Sequence, residues 1–204
     1  MHEVLQWIGG GFYLLNKIFF SFSERARHHN SAALARRWRI ASWAVYLIGL
    51  PPWVIIFAGW RNWIAASVEA SGAPAMCLGL VLALRGSDKD PPKWLNRLAF
   101  ICVPLGFAIS LYDFGGLKTL NQRLEIGLTA GFLVGTYQLA RDRANGYLWL
   151  VLMHISCGWL MWIQGYPWLL LQQVVSLGFI VDAYVTRRRH TRSAAPTTLD
   201  AKPA

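Results

Sequence analysis

Acidic residues are scarce in this chain: ten Asp and Glu stand against twenty Lys and Arg in 204 residues. Cysteine is scarcer still. Cys77, Cys102 and Cys157 all fall in apolar stretches at unpaired spacing, which excludes a disulfide framework and a zinc site. No phosphate-binding glycine loop occurs, and no His/Asp set or Ser-His-carboxylate set lies at matching depth. No catalytic residue, metal ligand or cofactor is therefore expected, and the chain is not read as an enzyme. A retinal-type photoreceptor is disfavoured because the last apolar stretch has no Lys for a Schiff base. His28 and His29 are adjacent but lack a carboxylate or Cys partner set, so they read as part of a solvated basic loop.

Long apolar runs are what the chain does have. Seven of them cover residues 4–22, 40–58, 63–84, 98–111, 124–140, 147–163 and 168–186. A helix rising about 1.5 Å per residue needs roughly 17–25 such residues to cross a bilayer. Six runs meet that length, and the fourth does so only if 94–97 joins its helix. The expectation is an all-α integral membrane protein with seven spans.

Charge sets the orientation. Arg25, Arg27, Arg36, Arg37, Arg39, Arg85, Lys89, Lys93, Arg97, Arg141, Arg143, Arg187, Arg188, Arg189, Arg192 and Lys202 fall on one side. Only Arg61, Lys118 and Arg123 fall on the other, and Lys17 lies inside the first span. This bias predicts a cytoplasmic C-terminus and an external N-terminus. It also accounts for the net charge of +10 without a nucleic-acid partner. The first run has no basic leader or cleavage site and is expected to be a retained helix. Compact size and the near absence of external segments fit a bacterial inner membrane, and residues 191–204 are expected to form a disordered cytoplasmic tail.

A repeat offset of 103 residues aligns Trp63 with Tyr166 and Glu69 with Gln172. It also pairs the short turns 59–62 and 164–167, and Gly9-Gly10-Gly11-Phe12 with Gly127 and Gly131-Phe132. Residues 1–190 then form one transporter-like domain. Repeat one covers about 4–84, a connecting helix about 94–112, and repeat two about 121–187, as in the parallel-repeat carriers.

Polar residues inside spans are costly and mark function by default. Glu69 lies in the outer half of the third span. Gln172, Gln173 and Asp182 lie on the seventh, where Gln172, Ser176, Phe179 and Asp182 share one face. Trp159 and Trp162 share a face of the sixth, with His154 near its midplane. Each has a plainer reading. Asp182 snorkels to Arg187–Arg189, the glutamines and His154 make interhelical hydrogen bonds, Glu69 pairs with Arg61, and the tryptophans belong to the interfacial belt. Lys17 reads best as snorkelling. Pro51-Pro52 predict a kink or local opening in the second span.

These features resemble the PnuC-type nicotinamide riboside transporters. The closest stretch runs from Tyr147 to Arg189, with Trp159-Leu160-Met161-Trp162, the Gln164-Gly165-Tyr166 turn and the basic helix end. The resemblance implies seven spans in a three-plus-one-plus-three, SWEET-like arrangement and facilitated diffusion by alternating access. It implies a vitamin or nucleoside-like substrate bound by Trp159, Trp162, Gln172, Gln173, Glu69, Asp182 and His154. A cytoplasmic kinase would act on that substrate only, and a homo-oligomer is left open. Met153 and His154 stand where the family often has Asn, and Glu69 where Gln or Asn is expected, so the substrate is open. A SWEET or PQ-loop carrier of another solute and a non-transporting membrane scaffold are the alternatives.

Overall fold

The computed structural model describes residues 2–59, 61, 63–86, 90–113 and 118–193. The expected tail beyond residue 193 and the loop residues Asp88 and Lys89 lie outside them. Every regular element among the described residues is helical. The order is α1 (His2–His28), α2 (Ala32–Gly59), α3 (Trp63–Ser71), α4 (Ala73–Arg85), α5 (Lys93–Asp113), α6 (Leu120–Ala140), α7 (Asn145–Ile163) and α8 (Pro167–Ser193). The all-α expectation holds.

Five segments are long and apolar enough to cross a membrane: Ala32–Gly59, Ala65–Arg85, Lys93–Tyr112, Asn145–Ile163 and Pro167–Thr191. The fourth apolar run does gain the preceding residues, because α5 starts at Lys93. The helices α1 and α6 have the length, at 27 and 21 residues, but carry more polar side chains. In α1 these are Asn16, Lys17, Glu24, Arg25 and Arg27; in α6, Gln122, Arg123, Glu125 and Gln138.

The helix α2 continues through Pro51 and Pro52. The third apolar run is the one that divides, at Gly72 between α3 and α4. Pro74 follows within the first turn of α4, and its missing N–H leaves the Ala70 carbonyl without its ladder donor. The chain tightens there, with Gly72 N–H donating to Glu69 O at 3.1 Å.

Three helix ends share one closing device. Asn30, Asp142 and Gly165 adopt left-handed backbones, with φ of 57°, 54° and 74°. The following N–H in each case reaches back five residues, as in Arg143 N to Gln138 O at 2.9 Å and Tyr166 N to Met161 O at 2.9 Å. These are Schellman closures, which favour Gly or Asn at the left-handed position. At the start of α6, Thr119 and Gln122 form a reciprocal capping box.

Packing runs largely in chain order. The helix α1 lies against α2 and α8, α7 against α6 and α8, and α2 against α3 and α4. A contact between α4 and α6 closes the circuit, while α5 packs against α3, α4 and α6. Gly131 lets α6 approach α7 closely, since a Cβ there would fall 2.5 Å from Trp149 O and 2.6 Å from Met153 N. The core joins Phe20, Trp43, Tyr46, Met76, Leu133, Tyr147, Leu150 and Ile180 across both halves of the chain. Phe20 is its hinge point, meeting Trp43 edge-on at 5.2 Å and Tyr147 at 6.1 Å.

Candidate functional site: a polar column on the first helix

Steps of three and four along α1 place Tyr13, Asn16, Lys17, Phe20, Ser21 and Glu24 on one side of the helix. That side faces inward. Asn16, Lys17, Phe20, Ser21 and Glu24 are all buried, and Tyr13 half-buried. The column has a charged layer around Tyr13 and Lys17, an aromatic middle and an ion network at the C-terminal end of α1.

In the charged layer the Tyr13 hydroxyl donates to the Glu69 carboxylate. Lys17 is only 2 % exposed, so it does not snorkel. Its Nζ donates to Asn16 Oδ1 at 2.8 Å and stands 4.2 Å from the Tyr46 ring centroid. Asn16 in turn donates to the Ser42 carbonyl at 3.0 Å and hydroxyl at 2.8 Å. Lys17 makes no direct ion pair among the described residues, although Glu69 and His154 are within its electrostatic reach. A buried ammonium held by an amide and a ring face is a costly arrangement in an apolar bundle.

His154 and Gln173 bring α7 and α8 into this layer. Their Nδ1 and Oε1 lie 2.6 Å apart, so Nδ1 carries the donated proton. His154 Nε2 is then an acceptor, buried and without a hydrogen-bond partner. Trp53 Nε1, packed beside Gly9 and Tyr13, is a buried donor in the same condition.

The ion network centres on Glu24, whose side chain is 1 % exposed. Its carboxylate meets Arg39 and Arg187, each at 3.3 Å, and accepts from the Tyr147 hydroxyl at 2.7 Å. Asp142 meets Arg27, Arg39 and Arg187, each at 3.2 Å. The left-handed closure of α6 holds Asp142 there. One cluster thereby ties α1, α2, the α6–α7 turn, α7 and α8.

The residues singled out from the sequence divide into three groups. Glu69 meets the α1 column through Tyr13 rather than Arg61, and His154 pairs with Gln173 between α7 and α8. Gln172 and Asp182 face α1: Gln172 Nε2 donates to Gly10 O at 2.8 Å, and Asp182 accepts from Ser21 and pairs with Arg25 at 3.0 Å. The polar stripe of α8 is thus packed on α1, and Asp182 makes its ion pair with Arg25 of α1 while Arg189 of its own helix adds to the positive charge around it. Trp159 and Trp162 are 56 % and 70 % exposed on the outer surface of α7, away from His154. Tyr13, Tyr46 and Glu24 were not singled out; the signal was the i, i+3, i+4 spacing of polar residues on α1.

No family model, curated protein or solved structure matches this chain.

Proposed function

We propose that the protein is a multi-pass transporter that carries a small polar aromatic solute across a bacterial inner membrane. The observation that carries this reading is the Lys17 ammonium, buried inside the bundle beside the Tyr13–Glu69 hydrogen bond and without an ion pair among the described residues. Intramembrane charges without a purely structural ion pair mark substrate paths. The two orphaned polar atoms, a donor on Trp53 and an acceptor on His154, add hydrogen-bonding capacity that a solute would satisfy.

Seven spans in a three-plus-one-plus-three plan fit the neighbour relations. Counting α3 and α4 as one span, shifting by four spans carries α1–α2 onto α6–α7 and α2–α3/α4 onto α7–α8. It also carries α4–α6 onto α8–α1. The connecting helix α5 has no counterpart and lies to one side. The discontinuity at Gly72, next to Glu69, is the kind of broken helix that transporters place at the substrate. In this plan α1 and α6 span despite their polar residues, because the polar side of α1 is covered by α2 and α8. The N-terminus lies outside and the C-terminus in the cytoplasm, following the arginine distribution.

A nicotinamide riboside-like vitamin or nucleoside is the substrate class. Glu69 offsets a ring cation, Tyr13 and Tyr46 supply aromatic faces, and Asn16, Gln173 and His154 bond hydroxyls or an amide. Trp159 and Trp162, on the outer surface, anchor α7 in the membrane boundary. The Glu24 network joins α1 and α2 to the α6–α7 turn, α7 and α8, so it acts as the cytoplasmic gate in alternating access. Opening inward exchanges its internal ion pairs for water.

The test is uptake by proteoliposomes of labelled nicotinamide riboside, thiamine, riboflavin and a nucleoside. Saturable uptake of one of them, abolished in folded Glu69→Gln protein, supports the proposal. Uptake no faster than in empty liposomes for all four overturns this substrate class and favours a packing role for the column, as in a membrane scaffold.

A further inference from the structure

A cavity of about 250 Å³ opens beside the ion network, where α2, α4 and the end of α6 converge. Its walls include Arg27, Arg39, Trp43, Arg141 and Asp142, with Gly79 beneath. Trp43 packs flat enough on α4 that any side chain at Gly79 would strike its indole, so the space depends on that glycine.

Charge around this space does not balance among the described residues. There Arg27, Arg39 and Arg187 share two carboxylates, Glu24 and Asp142. Arg141 adds a further guanidinium, directed to the neutral Asn96 Oδ1 at 3.2 Å. Asp90, also in the wall, is exposed and offsets one of them. Arg39 is 8 % exposed, deep enough that its charge is weakly screened. Arg27 is 24 % exposed in its side chain and Arg141 is half-buried, so both forks have freedom to turn towards a ligand. Excess positive charge, several guanidinium forks and a cavity of this size match a tetrahedral oxyanion better than a planar carboxylate, because its oxygens point to separate walls.

We propose that this cavity binds a phosphate group through Arg27, Arg39 and Arg141. The phosphate belongs either to a soluble cytoplasmic phosphate compound or to the headgroup of an anionic lipid, since basic pockets at this depth take both. The inference is independent of what the protein transports. Arg27 and Arg39 also hold Asp142, so an occupied cavity draws on the same guanidiniums that tie α1 and α2 to the α6–α7 turn.

The experiment uses the full chain, purified in a phosphate-free maltoside detergent. Inorganic phosphate is titrated by calorimetry, and native mass spectrometry counts phosphatidylglycerol retained by the same sample. Saturable phosphate binding, weakened about ten-fold or more in Arg141→Gln and unchanged in Arg188→Gln, establishes the soluble source. One retained phosphatidylglycerol, displaced by excess phosphate and lost in Arg141→Gln, establishes the lipid source. Arg27→Gln repeats the comparison, with thermal unfolding confirming that each variant is folded; if it is not, Arg141→Gln decides. Absence of both kinds of binding, or binding that survives in folded Arg27→Gln and Arg141→Gln, overturns the proposal.

Discussion

The Tyr147 hydroxyl donates to Glu24 Oε1 across 123 residues of chain, at 2.7 Å and fully buried. That bond joins α7 to a carboxylate that, like Asp142, holds both Arg39 of α2 and Arg187 of α8. It makes Glu24 a point at which the two halves of the bundle are fastened.

Glu24→Gln is expected to lower stability by about 3 kcal/mol, because Arg39 and Arg187 keep their charge while losing one of the two carboxylates they share, with Asp142 remaining. Tyr147→Phe removes one hydrogen bond and is expected to cost only about 1–2 kcal/mol. Unfolding of the two purified variants in parallel checks the order. Equal losses from both would show that the carboxylate's charge is not what holds the network.

The gate role carries a separate expectation. In a background with Cys77, Cys102 and Cys157 replaced, Thr136→Cys places a thiol in the buried interior, next to Tyr46. Adding Glu24→Gln is expected to speed its reaction with an impermeant maleimide several-fold from the cytoplasmic face, and not from the outside. Rates unchanged from the cytoplasmic face would leave the network a fastening only.

Lys17 and stability should part company. Lys17→Met removes a buried ammonium whose one hydrogen-bond partner among the described residues is Asn16 Oδ1, and keeps its apolar stem. Stability is expected to hold or rise by about 1 kcal/mol, while solute uptake is lost. Thermal unfolding and proteoliposome uptake on one preparation check both. A strong loss of stability would mark Lys17 as structural.

Gly131→Val is expected to destabilise by at least about 2 kcal/mol, because its side chain would enter the α7 backbone at Trp149 and Met153. Trp159→Leu, on the exposed face of α7, is expected to change stability by no more than about 0.5 kcal/mol. Unfolding midpoints of the pair decide, and the reverse order would place the tight helix contact elsewhere.

Helix existence was legible from apolar runs, and α5 took up the residues before its run as expected. Particular side chains were harder to place. Gln172 and Gln173 read as a pair, yet adjacent residues on a helix point about 100° apart. One therefore meets Gly10 and the other His154. The interruption at Gly72 between α3 and α4 was not singled out, while α2 continues through Pro51 and Pro52. At Lys17 the expectation of snorkelling failed because the Tyr46 ring and Asn16 offer the ammonium a partner inside.

By itself the sequence determined that the chain is helical, apolar in long runs of membrane-spanning length, and basic mainly between alternate runs. Those properties follow from local composition and spacing, which act within a single helix. Only the tertiary structure decided that Glu24 and Asp142 gather three arginines, that Lys17 stays inside, and that Trp159 and Trp162 face outward. Such outcomes depend on which helices become neighbours and how each is rotated. Helix packing sets both through contacts between residues more than a hundred positions apart.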